Sequence, residues 1–288
     1  MSEGGCPFFS EDPPPQDSSK SLTYSSYLEI EPLLELQKPR SGDTWDDAEH
    51  DEMLFIVIHQ VYELWFRQVL HELDHLSGHF EAHREDDDRT PRINHTLKRV
   101  LTILKTMVSQ VDILETMTPI SFASFRSSLA QASGFQSPQF RELEFVLGHR
   151  RPQMLKHHQG NEPALKRLQR RLEEPTLYQR FLRYLSRCGL AIPQTVFEFD
   201  ADKPLVELPE IRDQLIEIYR QDDRLAMVCE RLVDFDEGIQ EWRYRHVKMV
   251  ERTLGSKQGT GGSSGAAYLR STLHHPLFPD LWAIRSDL

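Results

Sequence analysis

The chain has 288 residues, 39% of them hydrophobic and 9% aromatic, enough for a sizeable core in one large domain or two small ones. Its formal net charge of -11 excludes nucleic acid and anionic membranes as main partners, because both are bound through clustered Lys and Arg. No apolar run reaches the roughly 18 residues a membrane span needs, and the start, MSEGGCPFFSEDPPPQ, lacks the layout of a signal peptide, so a soluble, cytoplasmic protein without membrane contact is expected.

Residues 1–20, rich in Pro, Ser and acids, are expected to form a disordered tail, with one all-helical domain over residues 21–288. The segment LTYSSYLEIEPLLELQ predicts a short helix with Tyr24 and Tyr27 on one face. Residues 38–49 read as a polar loop whose acids suit capping the next helix. That helix carries His50–Phe66, HDEMLFIVIHQVYELWF, which is apolar on nearly every side and therefore expected inside the protein. Phe55 and His59 fall four apart on one face, and Tyr62 and Phe66 continue the stripe, so an imidazole is set among buried aromatics.

Further along, His71, His75, His79 and His83 recur every four residues. Paired histidines at this spacing can hold a metal, but Gly78 interrupts the series and no third carboxylate stands out, so a solvated ridge is expected. A second long helix is predicted over residues 93–117, from the stripe Leu97, Val100, Leu101, Leu104, Met107, Val108, Val111 and Leu114. After Thr118-Pro119, the segment ISFASFR places Phe122 and Arg126 on a common face. Another helix or two should follow within 163–189, then an acidic amphipathic helix over 207–221.

The last long helix, 223–254, has the stripe Leu225, Val228, Leu232, Phe235, Ile239 and Trp242, whose next member is His246. A lone core histidine is ordinarily hydrogen-bonded structure. Two of them on the apolar faces of long helices point to a metal or cofactor between, and haem iron is the natural candidate without a cysteine cluster. Cys6, Cys188 and Cys229 are too scattered for disulfides or zinc, and the last two are expected as small core residues. Gly259 to Gly265 hold four glycines, Thr260 and two serines, either a flexible linker or backbone that approaches a ligand closely.

HDEMLFIVIHQVYELWF, ETMTPISFASFR with SGFQSPQFR behind it, and WRYRHVKMVERTLGSKQGTGGSSGAAYL together resemble the tryptophan 2,3-dioxygenase family. The resemblance runs from about Leu22 to the C-terminus. It implies an all-α long-helix bundle enclosing a b-type haem, with ferrous iron and O2 as co-substrate. It further implies a homotetramer, a dimer of dimers, that opens the indole ring of L-tryptophan to N-formyl-L-kynurenine. By motif, His246 resembles the axial ligand of the iron, and His59 the catalytic distal histidine near the indole N–H. Phe55 and Phe122 resemble the aromatic walls, Arg126 the group that takes the substrate carboxylate, and Thr260 the hydroxyl at the ammonium and carboxylate. Tyr24 and Tyr27 resemble residues lent to the neighbouring subunit's site. Val111 departs from relatives with a bulkier aromatic. That departure leaves open a family relative that inserts one oxygen atom into a modified tryptophan in a biosynthetic pathway. A haem-free helical interaction scaffold is the remote alternative.

Overall fold

A computed structural model describes residues 22–82, 88–197, 205–255, 257 and 266–288. The expected tail, His83, Cys6 and Thr260 lie outside the described residues. Among the described residues there are helices and no strand, in agreement with the all-α expectation. No helix among them is long and apolar enough to cross a membrane. The chain divides after Lys38 into two compact units.

In the first unit the predicted single helix is two, α1 (Tyr24–Leu28) and α2 (Ile30–Leu34). Thr23 and Ser26 form a capping box that starts α1, and Glu29 ends it in the left-handed region at φ 52°. Neither helix contains a buried residue, and Tyr24 and Tyr27 are 78% and 70% exposed.

The second unit begins with a loop fastened to α3 (His50–Glu81) by one buried side chain. The Glu52 carboxylate accepts the backbone N–H groups of Arg40 (2.9 Å) and Ser41 (3.0 Å) and the Ser41 hydroxyl (2.6 Å). The loop acids do not cap α3 as expected. Asp47 instead accepts from Thr44 N–H at 2.8 Å and Asp43 N–H at 3.2 Å inside the loop itself, so its carboxylate is satisfied locally.

α4 (Thr90–Leu114) packs against both α3 and α10 (Asp223–Leu254). Its predicted stripe from Leu97 to Leu114 is buried, and so is that of α10 from Leu225 to Trp242. Gly238 lets α10 approach, since a methyl there would stand 3.3 Å from Leu104 Cδ1. The expectation that the start of α3 is enclosed on every side fails. Met53, Val57 and Leu64 are 36%, 38% and 52% exposed on its outer face, since periodicity does not say what covers an apolar stripe. Cys229 is buried as expected, but Cys188 is exposed at the end of α8 (Leu177–Arg187). On the histidine ridge His71 and His75 are exposed while His79 is buried, with its Nε2 3.0 Å from that of His75. Among the described residues no group of three or more side chains is placed to hold a metal ion.

The C-terminal segment is fixed by Asp236 of α10, whose side chain is fully buried. Its carboxylate accepts from Leu277 N–H (2.7 Å), Phe278 N–H (3.3 Å) and Trp282 Nε1–H (2.8 Å). Asp236→Ala leaves these donors without a partner and should cost about 3 kcal/mol, read as a lowered urea midpoint with unchanged m-value. A shift below about 0.5 kcal/mol would mean that this segment is held by packing alone.

Candidate active site

A cavity of about 330 Å³ opens between α3, α10, α5 (Pro119–Arg126) and α6 (Pro138–Val146). Thr118 starts α5 by accepting Ser121 N–H at 3.0 Å, and Pro119 occupies the first turn, where its missing N–H costs nothing. The helix is thereby aimed so that Phe122 and Arg126 both reach the cavity wall. Phe55 of α3 meets Phe122 at 5.7 Å and Phe125 at 5.5 Å between ring centroids, forming a continuous aromatic surface.

Two imidazoles line this cavity, His59 from α3 and His246 from α10. The Nδ1 of His59 lies 2.6 Å from the Phe55 carbonyl oxygen. A carbonyl only accepts, so Nδ1 carries the proton and Nε2 keeps a lone pair. The ring retains accessible surface, yet the surrounding protein disfavours its charged form and lowers its pKa. His246 is pushed down to about 4, by burial first and then by His59 and Arg243. Among the described residues, neither ring nitrogen of His246 has a hydrogen-bond partner. Both groups are therefore neutral imidazoles at pH 7.

The opposite chemistry occupies another part of the wall. The buried Glu144 carboxylate accepts from Arg151 Nη2 (2.8 and 2.9 Å), Arg243 Nη2 (3.0 Å) and Arg141 Nη1. Burial works to raise the Glu144 pKa, but Arg141, Arg243 and Arg151 together outweigh it and hold the carboxyl below its usual range. Arg151 also donates to the Tyr268 hydroxyl. The Nε groups of all three arginines are buried without a partner among the described residues. Within this cluster three fixed positive charges thus meet one negative charge.

Of the residues singled out in the sequence, Phe55, His59, Phe122, Arg126 and His246 converge on this one cavity. Tyr24 and Tyr27 belong to the first unit. The guanidinium cluster was not anticipated. Its signal was an Arg–Glu pair three apart inside the apolar run QFRELEFVLG, and an arginine three residues before His246.

The family model for tryptophan 2,3-dioxygenase matches residues 10–202 and 212–288. The chain is 58% identical over 270 residues to tryptophan 2,3-dioxygenase of Herpetosiphon aurantiacus, covering 94% of this chain and all of the relative. It is 53% identical over 274 residues to that of Anaeromyxobacter sp., covering 95% and 99%, and 38% identical over 292 residues to that of Pseudomonas fluorescens, covering 98% and 99%.

His149, beside the guanidinium cluster, makes folding depend on pH. Burial, with Arg243 adding to it against the pull of Glu144, depresses its pKa from 6.5 to about 4. Below pH 6.5 the unfolded chain takes a proton that the native one refuses, so this contribution is present above 6.5 and lost as pH falls to about 4. His149→Gln should flatten the fall of the urea-unfolding free energy across that window by up to about one proton. An unchanged slope would mean that His149 titrates alike in both states.

Proposed function

The chain belongs to the tryptophan 2,3-dioxygenase family, and on that premise we propose that this cavity takes haem b and L-tryptophan and opens the indole ring with O2. The product is N-formyl-L-kynurenine. One observation carries the reading: two neutral imidazoles of different hydrogen-bonding state line one cavity that also holds an arginine and an aromatic wall. The protein is on this reading an oxidoreductase of tryptophan catabolism rather than a haem-free scaffold.

The residues fit the cofactor. His246, a neutral imidazole with no competing partner among the described residues, would hold the haem iron through a ring nitrogen. Arg141, Arg151 and Arg243 leave a local excess of positive charge beside unpartnered N–H groups, which suits the two propionates of haem. When bound, haem supplies the activation of O2.

The chain's own residues do the rest. His59 holds its proton at Nδ1 against the Phe55 carbonyl, so Nε2 is the acceptor for the indole N–H. Its lowered pKa keeps that acceptor available at neutral pH. Phe55 and Phe122, in contact with each other, form one aromatic wall against the flat indole and exclude water from that side. Arg126 supplies a planar fork for the α-carboxylate, and Thr260, by its place in GTGGSSG, a hydroxyl for the ammonium and carboxylate. Tyr24 and Tyr27, exposed on α1, are lent to the neighbouring subunit's site in a homotetramer. The cytoplasm, with its supply of free amino acid, is the proposed location.

A modified tryptophan with insertion of a single oxygen atom is the second reading, favoured by the small Val111 on the cavity wall. Turnover of L-tryptophan under isotopically labelled O2 separates the two. Two labelled atoms in the product establish the dioxygenase, while one atom, or no reaction until an altered tryptophan is supplied, establishes the second reading. Arg126→Ala should raise KM about 100-fold with a smaller loss of kcat, since it removes a charge-assisted pair. His59→Ala should lower kcat/KM about tenfold, as loss of one orienting hydrogen bond, and full activity in that variant would remove His59 from the site.

A further inference from the structure

A ligating histidine is ordinarily fixed by its second ring nitrogen, which donates to a carbonyl or carboxylate and sets the angle of the ring. His246 has no such partner among the described residues, so something else must hold its plane. One turn earlier on α10, Trp242 lies parallel to it, with ring planes 4° apart and centroids 5.7 Å apart.

Trp242 cannot turn. It is buried and boxed by Phe140 at 5.5 Å, Phe66 at 5.8 Å with an edge-to-face angle of 86°, and Tyr62 at 6.2 Å. The Tyr62 hydroxyl lies near its indole N–H without the alignment of a full hydrogen bond, so packing is the main hold on the ring. A plane clamped on three sides by rings from α3 and α6 therefore offers its remaining face to the imidazole. Contact between two flat rings permits sliding but resists tilting. Arg243, bonded to Glu144, fixes the register of α10 but has no hold on the side-chain torsion of His246.

We propose that Trp242 is the positioning residue for His246: its stacked indole, in place of a hydrogen bond, sets the plane of the imidazole that meets the iron. The proposal rests on the haem reading of the site. It assigns to the aromatic box of Tyr62, Phe66 and Phe140 a role in cofactor geometry as well as in core packing.

The test uses haem-loaded wild type, W242F and W242L. The readouts are the iron–histidine stretching band of the ferrous protein by resonance Raman, the rate of haem transfer to apomyoglobin, and far-UV circular dichroism. Phenylalanine keeps a smaller flat ring, whereas leucine fills space without a plane. The band should broaden in the order wild type, W242F, W242L, and haem loss should speed up about threefold and about tenfold, at unchanged helicity. Should leucine unfold this box, W242F decides, because its reduced overlap must still broaden the band. A folded variant whose band and haem-loss rate match wild type overturns the positioning role. A wild type that takes up no haem overturns the haem reading and this inference with it, whereas haem-loaded protein with unchanged variants overturns the inference alone.

Discussion

The packing of α4 between α3 and α10 is the constraint on which the site depends, because His59 and His246 come from those two outer helices. Each is tied to α4 within about a turn of its histidine. The Tyr62 hydroxyl, three residues after His59, donates to the Met107 carbonyl at 2.7 Å. Arg245, next to His246, pairs with Asp112 at 2.6 Å and Glu115 at 3.3 Å. The half-exposed ion pair adds little energy on its own, about 0–1 kcal/mol. The separation is held mainly by the buried stripe of α4 and by Gly238, which sets how closely α10 can lie against Leu104.

Within the cavity, burial acts oppositely on its two kinds of base. An imidazole responds to desolvation by giving up its proton, so His59 and His246 become neutral acceptors at little cost. A guanidinium cannot do so, and Arg141, Arg151 and Arg243 keep their charge wherever they are placed. Glu144 offsets one of the three charges, and its carboxyl is held ionised by that arrangement. The remainder makes this part of the wall a receptor for carboxylates inside a chain whose net charge is -11. The same low-dielectric surroundings thus leave two neutral imidazoles and a cluster of charged guanidinium groups on one cavity wall.

The sequence was most legible where burial and period coincide. The stripe of α10 carried directly to His246, and the spacing of Phe122 and Arg126 predicted their shared direction. The guanidinium cluster was not legible, because its members are 7 to 99 residues from Glu144 along the chain apart from Arg141, three away. The pair Arg141 and Glu144 within QFRELEFVLG is visible in the sequence, but nothing there marks the other two arginines that meet the same acid. Glu52 illustrates the same limit, since its bonds to Arg40 and Ser41 replace the helix capping that composition suggested. Glu29 does so too: a single left-handed residue divides a segment whose apolar spacing reads as one helix.

The misread part of α3 has a physical sense of its own. Met53, Val57 and Leu64 lie on one face by helical spacing and stay exposed, while Phe55 and His59 turn to the cavity. α1 and α2 are five residues each, too short to persist on intrinsic propensity, and bury nothing. Exposed apolar side chains on a long helix and on two short ones call for a partner surface, which the proposed tetramer supplies. In that proposed assembly α3 would be both a subunit contact and a wall of the candidate site. A rotation of α3 that improved the subunit contact would also swing His59 Nε2 away from the indole N–H. The outer stripe and the inner histidine would then be constrained together, because one helix carries both.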